Sequence, residues 1–156
     1  MDTKYFEKIR IFDGGMGQEL LSKGLISKGT LWSASALIDK EFHKLVIDAH
    51  ISFINAGADI IVTNNFSARK IRFIQNKVVD KFQYANEQAG ILANKAKEIS
   101  KQNILIAGSL PSQSDTYVED ERSSSEIKSD FEEQAKIISP YVDFFYLDVV
   151  SSGREI

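Results

Sequence analysis

Four short apolar runs divide this chain: residues 9–13 (IRIFD), 59–66 (DIIVTNNF), 103–110 (NILIAGSL) and 143–150 (DFFYLDVV). The first three lack clean alternation and the fourth is apolar almost throughout, the pattern of parallel strands covered on both faces. Between them lie stripes of helical period. One runs Phe42, Leu45, Val46, Ala49, Phe53 and Ala56 and ends at Gly57. A second runs Phe82, Ala85, Ala89, Leu92, Ala93, Ala96 and Ile99, and a third Ile127, Phe131, Ala135 and Ile138. Ser123 and Glu126 have capping-box spacing ahead of the third, and Pro140 stops it. Strand, helix, strand, helix, strand, helix, strand is the order of parallel βαβ units with right-handed crossovers. The polar stretch 112–126 (SQSDTYVEDERSSSE) is expected to be a long loop on the C-terminal side of the third strand.

At 156 residues, with 43% hydrophobic and 26% charged residues, the chain is sized for one domain with a packed core. A net charge of −3 and the lack of a basic stripe argue against a nucleic-acid partner. No apolar run approaches the roughly 20 residues that span a bilayer, so no membrane partner is expected. The first ten residues (MDTKYFEKIR) lack the apolar core of a signal peptide, which places the expectation in the cytoplasm. With no cysteine, the chain itself has no disulfide, thiol nucleophile or thiolate zinc site.

Ligands of α/β proteins collect at the C-terminal ends of parallel strands. The first strand ends in Asp13, Gly14, Gly15 and Gly17; the second in Thr63, Asn64 and Asn65; the third in Gly108, Ser109 and the loop of Gln113, Ser114 and Asp115; the fourth in Asp148, Ser151 and Ser152. The loop DGGMG matches neither the dinucleotide fingerprint nor the P-loop. Asp13 would repel a phosphate and suits an ammonium group or a hydroxyl donor, while the glycines let the backbone approach the ligand. The plain alternative is a strand-end turn in which Asp13 caps the next helix. Asp148 alone could equally cap the helix expected after it. Two acidic strand ends facing one cavity are more telling, because uncompensated like charges await a cation, an amine or a metal. His43 and His50 lie away from the strand ends and are read as surface or packing residues. Trp32 either packs over an end of the barrel or lines a pocket.

Five stretches in order, FDGGMGQEL (12–20), LWSASAL (31–37), HISFINAGADIIVTNNF (50–66), AGSLPSQSDTY (107–117) and DVVSSGRE (148–155), resemble the homocysteine S-methyltransferase family. The resemblance implies a (β/α)8 TIM barrel, of which residues 1–156 are the N-terminal half, about four βα units. It implies methyl transfer from an onium donor such as S-methylmethionine to the homocysteine thiol, giving methionine. In that reading Asp13 and Gly14 lie in the homocysteine site, Thr63 and Asn65 form the second strand's substrate contact, and Asp148 shares the ammonium with Asp13. Asp148 stands where the family has Glu, Asn65 where it commonly has Thr, and Gln18 where threonine is usual. The family holds zinc through three cysteines in the second half of the barrel, where the metal keeps the thiol as thiolate. This chain carries none of those ligands, so alone it is expected to be inactive. Two other readings stand beside this one. The first is a non-catalytic half-barrel that self-associates and binds an amino acid or a partner chain, in place of a missing C-terminal half. The second is a small open α/β nucleotide binder, against which Asp13 and the missing lysine loop both count.

Overall fold

The structure, a computed structural model, describes residues 3–156. Its centre is a parallel sheet of β1 (Ile60–Val62), β2 (Leu105–Pro111) and β3 (Phe144–Asp148), in that spatial order. Ile61 lies opposite Ile106, and Ser109 opposite Tyr146. The crossovers contain α3 (His43–Asn55), which precedes β1, then α5 (Phe82–Ser100) and α6 (Ser124–Ile138). These are the three helices the apolar stripes predict. Three shorter helices, α1 (Met16–Ser22), α2 (Ser35–Ile38) and α4 (Lys70–Gln75), lie in stretches where no stripe was legible.

The expected first strand is a correction. Residues 9–13 form one parallel bridge, Phe12 to Ile60, rather than a regular strand. Asp13 N donates to Ile60 O at 2.9 Å, while Ile11 N is taken by the Asp59 carboxylate at 2.9 Å. A side chain thus replaces a ladder partner, and Ile9 and Ile11 remain 93% and 58% exposed at the sheet edge. The second strand also ends earlier than expected. After Val62 the chain turns, with Asn65 N donating to Thr63 O at 2.8 Å.

The sheet is strongly curled. Phe12 and Tyr146 lie on strands three steps apart, which in a flat sheet would separate them by about 14 Å. Their ring centroids are 5.2 Å apart. The concave face therefore encloses space, with Phe6 against Phe144 at 5.5 Å lower down. On the convex face, Ile54, Ile61, Ala93, Ala96, Ile104 and Ile106 seal α3 and α5 to the sheet. A larger cluster around Leu20, Leu37, Val46, Phe73, Phe82 and Ala89 joins α1, α2, α3 and α5.

Helix ends follow local chemistry. Gly57 has φ +104°, and α3 closes with Ala58 N on Phe53 O and Gly57 N on Ile54 O, both 3.1 Å, a Schellman stop. The expected capping box is formed: Ser123 N donates to Glu126 Oε2 at 3.0 Å and Glu126 N to Ser123 Oγ at 3.3 Å. It starts α6 at Ser124, three residues before the apolar stripe begins.

Candidate functional site

A cavity of about 620 Å³ opens on the concave side, at the C-terminal ends of the strands. Asp13, Gly14, Thr63 and Asp148 all line it, so the ends of the first, second and fourth predicted strands converge there. Neither aspartate is a helix cap. The N-cap of α1 is Gly15, without a side-chain cap, and Asp13 instead accepts the Val62 N–H at 2.9 Å. Asp148 accepts the Ser109 hydroxyl at 2.8 Å. Burial pushes both carboxyls upward. Asp13 reaches about 7, its hydrogen bond from Val62 opposing and the charge of Asp148 adding to the rise. Asp148 is raised by burial against the Ser109 bond. The cavity thus holds two acids whose ionisation is disfavoured, and an ammonium between them would restore the charged forms.

Asn65 lies beneath the floor, wholly buried, rather than on the cavity wall. Its Oδ1 accepts the Thr63 hydroxyl at 2.6 Å, and its Nδ2 donates to Ser109 O at 3.0 Å and Asn86 Oδ1 at 3.2 Å. Ser109 N in turn donates to Thr63 Oγ1 at 3.0 Å. With its proton given to Asn65 and one lone pair taken by Ser109 N, the Thr63 hydroxyl keeps only acceptor capacity. The amide of Asn65 therefore ties β1 to β2, where the common threonine has a single hydroxyl.

The network continues through Asn86 and Gln134, which were not singled out from the sequence. Asn86 donates to Phe82 O and Ala68 O at 3.0 and 3.1 Å. Gln134 donates to Asn86 Oδ1 at 3.0 Å and accepts from Gln113 Nε2 at 2.8 Å. Asn86 and Gln134 sit in the buried phase of their helix stripes, and a polar residue in such a phase is the signal that marks them. Full satisfaction of buried amides makes this floor rigid.

The walls are aromatic. Phe12, Trp32, Phe66, Tyr117 and Tyr146 line the cavity, with Trp32 edge-on to Phe66 at 6.5 Å. Trp32 has φ +46°, and a Cβ on Gly17 would meet its indole at 2.4 Å, so the glycine is what admits the ring. The 112–126 loop contributes Thr116 and Tyr117 to the rim, and α4 contributes Arg72, with Arg69 at its N-cap. Neither histidine lines the cavity. His43 Nε2 meets Leu37 O at 3.1 Å, and His50 is wholly buried and held neutral, its value pushed down to about 3 by desolvation.

Zinc, which the family resemblance implies, does not fit the residues present. The chain has no cysteine. Among the described residues, no group of three His, Cys, Asp or Glu side chains is placed to hold a metal ion. Nor is any helix among the described residues long and apolar enough to cross a membrane.

Comparison with known proteins follows the same line. Solved structures of the homocysteine methyltransferase MmuM from Escherichia coli superpose on 98% of this chain. The metallated form gives a TM-score of 0.82 at 21% identity and the oxidized form 0.84 at 21%. The fold is therefore that α/β architecture. Homocysteine S-methyltransferase 2 of Zea mays is 31% identical over 90 residues, 58% of this chain and 24% of its own length. Homocysteine S-methyltransferase 1 of Zea mays is 34% identical over 64 residues, 41% of this chain and 19% of its own length. The chain spans 58% of the metallated MmuM chain, and its matched stretches are a quarter or less of these curated relatives. The family profile described as homocysteine S-methyltransferase matches residues 10–156. With its strand ends, its cavity and that match in agreement, this chain belongs to the homocysteine S-methyltransferase family.

Proposed function

We propose that the cavity is the homocysteine site of a methyltransferase, which moves a methyl group from an onium donor such as S-methylmethionine to the homocysteine thiol, giving methionine. The observation that carries this is the convergence of Asp13 and Asp148 on one cavity with Thr63 between aromatic walls. Two carboxylates and an acceptor hydroxyl suit the α-ammonium of an amino acid. The rings of Trp32, Phe66 and Tyr117 suit a sulfonium or a quaternary ammonium by cation–π attraction, and they keep water from the reacting carbon. In the transfer the thiol sulfur forms its bond to the methyl carbon as the donor's C–S bond breaks. The electron pair goes to the donor sulfur, leaving a neutral thioether, and the thiol proton passes to solvent.

This chain's share is binding and orientation. Asp13, Asp148 and Gly14 hold the amino-acid end, Thr63 accepts from it, and Asn65 fixes Thr63. Residues 1–156 are then the N-terminal half of a (β/α)8 homocysteine-binding domain, and the thiol-activating ligands belong to a C-terminal half or to a partner chain. The cover of 58% of MmuM by nearly all of this chain supports that extent.

The test is turnover. The purified chain with L-homocysteine, S-methylmethionine and zinc is expected to form no methionine. It is expected to form it once a polypeptide bearing the second half of a relative's barrel is supplied. Methionine from the chain alone would remove the half-site account. Methionine in neither case would count against methyl transfer.

A further inference from the structure

Arg69 is only 2% exposed, yet it lines the cavity that Asp13 and Asp148 share. A buried guanidinium normally has a carboxylate partner, since desolvating the charge is costly. Arg69 has none. Its hydrogen bonds both leave Nη1, one to Ser112 O at 3.1 Å and one to Ser114 O. Nε has no partner among the described residues. Nε is itself buried, so the edge left without a hydrogen bond, the Nε–Nη2 side, is an unsatisfied buried one, and its planar pair of donors matches the two oxygens of a carboxylate.

Neighbouring acids are spoken for. Asp115 pairs with Arg72 at 3.2 Å. Glu155 accepts from Ser112 Oγ at 2.5 Å and from Ser152 N at 3.3 Å. Asp13 and Asp148 each accept one hydrogen bond, from Val62 N and Ser109 Oγ, and neither pairs with Arg69 among the described residues. Phe66 lies under the guanidinium, its ring centroid 5.6 Å from Cζ, and so orients the plane without using its donors. Burial and the nearby Arg72 lower the Arg69 value to about 10, which leaves it cationic at neutral pH.

We propose that Arg69 receives the carboxylate of the cavity's ligand through its free Nε–Nη2 edge, while Nη1 anchors the loop at Ser112 and Ser114. The cavity is then bipolar, with acids at one side for an ammonium and a fixed cation at another for a carboxylate. That is the charge pattern of a zwitterionic amino acid. This assignment rests on the amino-acid reading of the site and adds to it the residue that selects the carboxyl end. Homocysteine and a donor such as S-methylmethionine both carry that group, so the experiment separates them.

Calorimetric titration of the full chain compares L-homocysteine with 3-mercaptopropylamine, and S-methylmethionine with its decarboxylated sulfonium. In the wild type one carboxylate-bearing ligand is expected to bind about ten- to a hundredfold tighter than its decarboxylated partner, the range of a charged hydrogen-bonded pair. Arg69→Gln is expected to bind both members of that pair alike, at the weaker affinity. Arg69→Lys, which keeps charge but lacks the fork, is expected to recover only part of the preference. The pair that responds identifies whose carboxylate is held. A preference that survives in Arg69→Gln overturns the assignment, and equal weakening of both members shows that Arg69 only clamps the loop. If the wild type binds none of the four, the amino-acid reading falls first and this inference with it.

Discussion

Asp13 is the residue on which most of the proposed binding chemistry turns. Its carboxyl is raised from 3.8 to about 7, so the folded state binds its proton more tightly than the unfolded state does. Stability from this group is full below pH 4 and is lost as pH rises toward and through 7, because the native state holds the extra proton across that window. Asp13→Asn is expected to remove this dependence and to melt higher than wild type at pH 8, as followed by circular dichroism. A wild-type melting temperature flat between pH 5 and 8 would mean that the carboxyl is not desolvated. An ammonium ligand has the opposite dependence, since it needs the carboxylate, so its affinity is expected to rise as pH passes through 7. Asp13, Gly14, Thr63 and Asp148 were legible because strand ends are where sequence position predicts spatial position. Asn86 and Arg69 were not, and Asn65, singled out as a substrate contact, lies buried beneath the floor. Their roles depend on which neighbour each polar atom reaches, and that is a property of packing.

At the scale of elements, what could be read was what has a period. Helices α3, α5 and α6 carry long stripes and were found within three residues of their ends. The seven-residue α1 and the four-residue α2 are too short for a stripe to declare itself. Residues 9–13 looked like a strand because IRIFD is largely apolar, but Asp59 takes one of its amides and Ile9 and Ile11 stay exposed. The contact between α1 and Trp32 gives a direct test of how elements shape the cavity. A Cβ at Gly17 would overlap the indole at 2.4 Å, while the same change favours the helix by about 1 kcal/mol. Overpacking costs about 1–3 kcal/mol and displaces the ring, so the clash wins. Trp32 is the only tryptophan, and its fluorescence therefore reports on the cavity alone. Gly17→Ala is expected to shift that emission to the red and to lower the melting temperature. Unchanged emission would show that the indole does not rest on α1.

At the scale of the molecule, the curled sheet places acids, aromatics and a buried arginine around one space without closing a barrel around it. Phe145, Tyr146 and Leu147 of β3 stay 41%, 39% and 43% exposed, and no strand pairs with the outer edge of β3 among the described residues. An open parallel edge beside apolar side chains is a surface that further chain or a second copy would cover. The proposed amino-acid site is nevertheless the cavity, which Asp13, Gly14, Thr63 and Asp148 of this chain line. The most direct measurement is a calorimetric titration of L-homocysteine, under reducing conditions at pH 8, into the wild-type chain and into Asp13→Ala. The account predicts saturable binding at one site per chain, weakened in the variant by about 1–3 kcal/mol, the scale of a charged hydrogen bond. Equal affinity in the two proteins, or no binding by the wild type, would contradict it.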